Sequence, residues 1–458
     1  MASSRRSLAG GLLLAFLVIG CFQNANALPA FARKYGLRCS ACHESWPMLN
    51  YFGQKFKDNG YQLMNDRDAP IWQNPSYWPV TFRITPIWHR VSNDRVLVDS
   101  GAGVNNAEKR IESSGFDLSG LDFHTGGTLE KNFSFYVLPS SDNTASFHFE
   151  TVMGRLDNLW GSSWLNVKFG KFELDNLLSE KRILTLTGIG GIYQTYHFQP
   201  VGDGNFFGQI GDNQLGVEVM GHSADDRTRY SAALLSSVDG NVGLPFGSNA
   251  YSGFFAASQA FDTGRLGVQR IGFYAMVGEA PVTYLTSSGA PIAGSGIGNK
   301  SFNREGFVGQ FYFGPHFDLQ VVTQHGWDSA WFGQGYGSAA VGGPNVTPGV
   351  TLPAGAQAPS WNGVLFEGHY VYSPQLIFIG RFEAERMSQQ ANTNATVLPG
   401  NLGNLTTYTV GYRYNPFMTS RAGFAWHNEY AWMHQDLTSA FGNNVNTSEL
   451  LLGFDFDF

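Results

Sequence analysis

The last ten residues constrain the fold more than any other stretch. Leu450, Leu452, Phe454, Phe456 and Phe458 fall on one side of an extended backbone, and Glu449, Leu451, Gly453, Asp455 and Asp457 on the other. A period of two marks a β-strand with two unlike faces. The alternation recurs upstream. Val364, Phe366, Gly368, Tyr370 and Tyr372 alternate with Glu367 and His369, and Phe378 and Phe382 with Ile379, Arg381, Glu383 and Glu385. Val410, Tyr412 and Tyr414 alternate with Gly411 and Arg413, and Leu215, Val217 and Val219 with Gly216, Glu218 and Met220. One face is apolar and aromatic; the other is mostly polar, charged or glycine. A soluble β-sandwich also alternates, but it does not usually expose so much aromatic surface at strand ends, where a lipid interface accepts Trp and Tyr.

Sixteen such segments are expected: 79–90, 116–129, 131–139, 145–156, 162–171, 212–221, 227–237, 251–262, 264–279, 302–314, 316–328, 359–372, 374–387, 404–414, 418–434 and 447–458. Tight connections at Glu130, Ser223–Asp226, Thr263, Pro315, Ser373 and Asn415-Pro416-Phe417 alternate with long Gly, Ser, Asn and Pro-rich links at 172–211, 280–301, 329–358 and 388–403. Short turns at one end and long loops at the other are the pattern of an outer-membrane barrel, and an even strand number puts both termini in the periplasm. Composition agrees: 56 of 458 residues are glycine, aromatics make up 15% and charged residues only 14%, against a usual ~25% charged. No window after the N-terminal segment approaches the ~18 apolar residues of a membrane-spanning helix. Phe458, with aromatics at alternate positions before it, looks like the C-terminal signal read by outer-membrane assembly machinery. The expected fold is mainly β: a 16-stranded antiparallel transmembrane β-barrel over 78–458, preceded by a small α-helical segment.

That segment carries Cys39-Ser40-Ala41-Cys42-His43. C-x-x-C-H is the attachment sequence of c-type haem. Cys39 and Cys42 would hold one haem by thioether bonds, and His43 would be the proximal iron ligand. The other readings are a redox pair, half a zinc site, or a disulfide beside an unrelated histidine. Zinc would need further close-set ligands, and a redox C-x-x-C usually sits in a βαβ context; neither is found. The N-terminus points to export. Arg5 and Arg6 precede an apolar run, Leu8–Gly20, and Ala25-Asn26-Ala27 fits a signal-peptidase site. Removal of 1–27 would leave Cys39 and Cys42 as the only cysteines. A lipobox-like reading of Val18–Cys21 would instead make Cys21 a lipid anchor.

Residues 28–77 form the expected haem segment. Leu49, Phe52 and Phe56 recur at helical spacing after Pro47, offering an apolar face to a porphyrin or to the barrel wall, and Gly60 is a plausible helix terminator. So small a domain needs a staple. Covalent haem is one, and enclosure in or just under the periplasmic mouth of the lumen is a second. For the distal ligand Met64 is the first candidate, with His89, His124 and His148 on early strands as alternatives, while Met48 is too near His43 to reach the opposite haem face. Phe31-Ala32-Arg33, Gly36, Cys39, Cys42, His43, Pro47, Leu49, Phe52-Gly53, Phe56 and Asn59-Gly60-Tyr61 together resemble the fused monohaem cytochrome-porins of the bacterial outer membrane, a family that includes iron(II)-oxidising proteins. Iron-oxidising members tend to follow Ala-Arg with Gln-Thr-Gly, where this chain has Lys34-Tyr35-Gly36.

The resemblance implies an outer-membrane electron-transfer protein passing single electrons between an extracellular donor, iron(II), and a periplasmic c-type cytochrome or copper protein. In enzyme terms that is an iron(II):cytochrome c oxidoreductase acting by outer-sphere transfer, with no catalytic acid, base or nucleophile. Lumen carboxylates such as Glu218, Glu383, Glu385, Glu429, Asp455 and Asp457 could draw cations toward the haem, or could serve only to hydrate the lumen. Competing readings are outward transfer to an extracellular acceptor and a diffusion porin with a haem-bearing plug. The formal charge of −7 and the absence of nucleotide-binding or hydrolase motifs argue against nucleic-acid partners and such enzyme classes.

Overall fold

The computed structural model describes residues 30–45, 48–63, 80–101, 103, 105–141, 146–174, 184, 185, 187, 189, 194–198, 210, 213–236, 250–282, 298–330, 357–389, 402–418, 422–437 and 444–457. The signal segment, Pro47, Met64 and Phe458 lie outside them.

Two short strands, β1 (His43–Ser45) and β2 (Met48–Leu49), form a small ladder in the N-terminal segment, flanked by helices α1 (Ala30–Tyr35) and α2 (Tyr51–Asp58). The barrel strands follow: β3 (Val80–Asp99), β4 (Asn105–Glu130), β5 (Phe133–Ser141), β6 (Phe147–Leu156), β7 (Asn166–Phe172), β8 (Gln214–His222), β9 (Thr228–Ser236) and β10 (Tyr251–Asp262). The second half is β11 (Val268–Val282), β12 (Gly298–Tyr312), β13 (Phe317–Asp328), β14 (Ser360–Ser373), β15 (Leu376–Gln389), β16 (Leu402–Met418), β17 (Gly423–Leu437) and β18 (Val445–Asp457). Each pairs antiparallel with the next, and β18 returns to β3 from Thr447↔Asn93 to Asp457↔Arg83, closing the barrel. Closure leaves no unpaired strand edge, the condition for a sheet to stand in hydrocarbon.

The expected sixteen strands are therefore present, and their two faces are sorted inside out relative to a soluble protein. Glu367, His369, Arg381, Glu383, Arg413 and Glu429 are buried on the lumen side. Leu234, Phe307, Tyr370, Val410 and Tyr430 are exposed on the outer side. That is the polarity of a barrel standing in lipid.

Three boundaries differ from the sequence expectation. Residues 91–99 and 105–115, expected as a link, continue β3 and β4 as a hairpin, well beyond the ~9–11 residues that cross a bilayer. Its outer part, Lys109–Ser114, is exposed, so hydrogen-bond pairing rather than a buried face holds it. The expected tight turn at Asn415-Pro416-Phe417 lies inside β16, where the ladder slips between Tyr414 and Phe417. Such an irregularity near a strand end is where a proline without an N–H can sit. Strand β7 starts at Asn166, because 157–165 turns through a 3-10 segment at Leu159–Gly161 with Asn158 and Trp160 at positive φ.

The lumen is filled from two directions. Residues 30–63 enter at the short-turn end, where Asp58 meets Arg229 at the start of β9 and Cys39 lies beside Gly423 at the start of β17. Described parts of the long β7–β8 link, residues 184, 185, 187, 189 and 194–198, also lie inside. There the backbone N–H groups of Leu184, Thr187, Ile189 and Thr195 donate to Glu367, Glu429, Glu449 and Glu383. Toward β6 and β10–β14 the lumen is instead an apolar cluster joining Phe56 and Tyr61 of the N-terminal segment to Phe254, Tyr274 and Phe302 of the wall.

Candidate haem site

The cysteine pair sits on a single 3-10 turn, Cys39–Ala41, closed by Ala41 N to Arg38 O at 2.9 Å and Cys42 N to Cys39 O at 3.1 Å. His43 follows directly on β1, opposite Leu49 of β2. Asn50 ties turn and helix together. Its Oδ1 caps α2 by accepting from Gly53 N at 2.9 Å, its Nδ2 donates to Ala41 O at 3.0 Å, and its own N–H donates to Cys42 O at 2.8 Å. Asn at an N-cap is a sequence-readable helix start, so this residue could have been singled out; its second role in holding the cysteine turn could not. Gly53 of α2 packs so closely on the turn that a Cβ there would run into the Cys42 carbonyl. The helix ends through Gly60, which has φ +74.

Of the expected apolar stripe, Leu49 and Phe56 face the cavity beside the cysteine turn and Phe52 does not. Leu49 precedes the helix, and the buried positions are Gly53, Gln54 and Phe56, while Phe52 is half-buried.

A cavity of about 170 Å³ opens beside the cysteine turn. Cys39, Cys42, His43, Phe31, Leu49 and Phe56 line it from the inserted segment; His124, Tyr136, Met153 and Met220 line it from β4, β5, β6 and β8. The segment contributes an aromatic cluster. The Phe31 and Tyr61 rings stack at 4.8 Å between centroids, and Phe56 meets Phe31 edge-on at 5.3 Å. Charged groups at the margin are engaged: Lys57 Nζ with Glu173 Oε2 at 2.9 Å, Arg155 with Asp157, and Lys168 with Glu218.

Burial, with the Asp457 carboxylate nearby, pushes the Cys39 thiol up to about 12, and burial pushes Cys42 up to about 11. Both are therefore neutral thiols near pH 7. Covalent c-type haem asks for two thiols and an imidazole bordering one space with apolar walls. Cys39, Cys42 and His43 meet that demand, so the donor set fits the group the sequence implies. Among the described residues no cluster of three or more His, Cys, Asp or Glu is placed to hold a bare metal ion.

The candidate distal ligands separate. Met64 lies outside the described residues. His148 is exposed on β6, and His89 is half-buried, 3.8 Å from Glu449. Only His124 of the three histidines borders the cavity; its Nδ1 is 2.6 Å from Tyr136 Oη, and its Nε2 is 3.9 Å from Asp122 Oδ2. Met48 is buried elsewhere, in a cluster with Leu184, Ile377 and Ile379. Tyr136, Met153 and Met220 were not singled out from the sequence, because alternation says which residues face inward and not which of them an inserted segment reaches.

The lumen carboxylates are engaged or buried. Glu218 pairs with Lys168 and accepts from Ser231, Glu383 binds Arg381 and Thr195, and Asp455 binds Arg413, His427 and Thr85. Glu429 accepts from Thr187 N, and Glu385 and Asp457 are buried. Glu383 and Glu429 thus bind the inserted link, whereas Glu218 and Asp455 pair within the wall.

No protein-family model matches the sequence, and no curated protein does. Solved structures similar to it include the outer-membrane channel DcaP of Acinetobacter baumannii, at 11% identity over 85% of this chain and 100% of that one, with a TM-score of 0.46. OprB of Pseudomonas putida is similar at 11% identity over 82% and 94%, with a TM-score of 0.47. A loop-deletion form of OmpT of Vibrio cholerae is similar at 10% over 83% and 100%, with a TM-score of 0.43.

Proposed function

We propose that this chain is an outer-membrane electron-transfer protein whose residues 30–63 carry one covalent haem in the periplasmic mouth of the barrel. It would exchange single electrons between an extracellular donor, iron(II) by the family resemblance, and a periplasmic c-type cytochrome or copper protein. The observation that carries this reading is the convergence of Cys39, Cys42 and His43 on one apolar-walled cavity inside a closed barrel. Cys39 and Cys42 would hold the group and His43 would ligate its iron. When bound, a c-type haem supplies a one-electron couple whose potential its ligands and surroundings set. Phe31, Leu49 and Phe56 exclude water from the site. The closed barrel would hold the haem at the outer membrane, between the extracellular medium and its periplasmic partner.

The test is maturation in a host competent for c-type haem, followed by anaerobic mixing of the oxidised protein with iron(II) while the reduced α-band is followed. The protein is expected to carry one haem per chain, lost in Cys39→Ser/Cys42→Ser, and to be reduced by iron(II). A haem-loaded protein that iron(II) leaves oxidised would remove iron as donor.

The closed sixteen-strand barrel itself favours a second reading, a diffusion porin with a haem-bearing plug. Planar-bilayer recording separates the two: sustained large currents from haem-loaded protein support the porin.

A further inference from the structure

We propose that His124 is the distal ligand of the haem iron and that Tyr136 positions it. This rests on the haem reading of Cys39–His43. Of the imidazole and thioether ligands typical of c-type cytochromes, the cavity those residues line presents His124, Met153 and Met220 from the barrel side. Met153 belongs to the apolar cluster around Phe56, and Met220 also borders a second, small cavity beside Asp58 and Arg229. His124 is built differently. Its Nδ1 lies 2.6 Å from Tyr136 Oη on the neighbouring strand. When Nδ1–H donates to that oxygen, the ring is fixed in the tautomer whose Nε2 lone pair serves a metal. Iron- and zinc-binding histidines are held in this way, by a partner on the nitrogen that does not ligate.

The wall beside His124 is shaped to receive the inserted segment. Gly126, two residues along β4 on the same face, leaves no room for a side chain. A Cβ there would stand 2.8 Å from the Tyr136 ring and 3.2 Å from the Phe31 ring. Phe31 stacks on Tyr61, and Tyr61 on Tyr136 at 6.0 Å between centroids. The aromatic stack therefore runs from the haem-bearing segment to the residue that orients His124. A sulfur ligand raises the potential of a haem relative to two imidazoles. Ligation by His43 and His124 suits a donor more reducing than iron(II) in acid, and so narrows the substrate class.

The experiment uses the full-length, matured protein in detergent. A reduced pyridine haemochrome and intact mass first establish covalent haem; ferric near-infrared and electron paramagnetic resonance spectra then read the ligands. The wild type is expected to be low-spin without the far-red methionine-to-iron charge-transfer band. His124→Gly is expected to turn high-spin and to recover the low-spin spectrum with free imidazole. His124→Met is expected to gain the far-red band and a higher potential, and Tyr136→Phe to stay low-spin with a shifted resonance spread. A wild-type far-red band overturns the assignment in favour of a methionine, and a low-spin His124→Gly without added imidazole overturns it in favour of another residue. If the glycine variant fails to assemble, His124→Met reads the same position: a protein that stays without the far-red band overturns the assignment. A matured protein without covalent haem overturns the reading of Cys39–His43, and with it this assignment.

Discussion

The Asp58 carboxylate of the inserted segment meets the Arg229 guanidinium of the barrel wall at 2.7 Å, with both side chains about nine-tenths buried. Arg229 also holds Asp226 at 2.6 Å, so one wall cation ties both the turn before β9 and the end of α2. Removing one partner of a buried ion pair costs on the order of 3–5 kcal/mol. Arg229→Met is therefore expected to loosen the segment, whereas Asp58→Ala, which leaves the Arg229–Asp226 pair intact, should cost about 1–3 kcal/mol. Limited trypsinolysis at Lys55 and Lys57 measures this: cleavage should speed up strongly in Arg229→Met while the barrel band stays heat-modifiable. Equal protection in both proteins would show that the segment is held elsewhere.

Gly53→Ala places a methyl against the Cys42 carbonyl, a backbone atom that yields only if α2 and the cysteine turn separate. Overpacking of this kind costs about 1–3 kcal/mol. Haem stoichiometry by pyridine haemochrome is expected to fall several-fold, while Lys55→Ala on the same helix stays at the wild-type level.

Inside the lumen, Glu367 and Glu383 accept the backbone N–H groups of Leu184 and Thr195. Truncating both to alanine leaves those donors without acceptors and the Arg381 guanidinium without a carboxylate, and is expected to loosen the inserted stretch. Single-channel conductance should rise several-fold over wild type in planar bilayers. Unchanged conductance would mean that the carboxylates do not retain the stretch.

Val410 is 60% exposed on the outer face of β16. Arginine there, near mid-bilayer, should cost about 2–4 kcal/mol of stability in lipid. Ile111→Arg lies on the protruding hairpin, outside the bilayer, and should be close to neutral. Urea unfolding in vesicles compares the two; equal losses would place the hairpin in the membrane.

Much of this was legible in the chain. Alternation such as Glu449 to Asp457 requires strands with unlike faces, and sixteen of them require closure. Cys39, Cys42 and His43 carry their chemistry in their spacing. Other features were misread because local pattern does not see pairing. Residues 91–115 look like a link, but main-chain ladder bonds need no apolar face. Phe52 fits the helical stripe, yet it is Gly53, with Phe56, that turns inward, because the helix packs on the Cys42 carbonyl through the glycine.

The sequence by itself determined the strand count, the two faces and the cysteine–histidine turn, because each depends on residues a few positions apart. Only the tertiary structure decided which wall residues meet that turn, and that Glu367, Glu383, Glu429 and Glu449 accept from inserted backbone. Leu184 finds Glu367 across 183 residues, and Lys57 finds Glu173 across 116. Such distances along the chain become contacts only when the barrel closes around what it encloses.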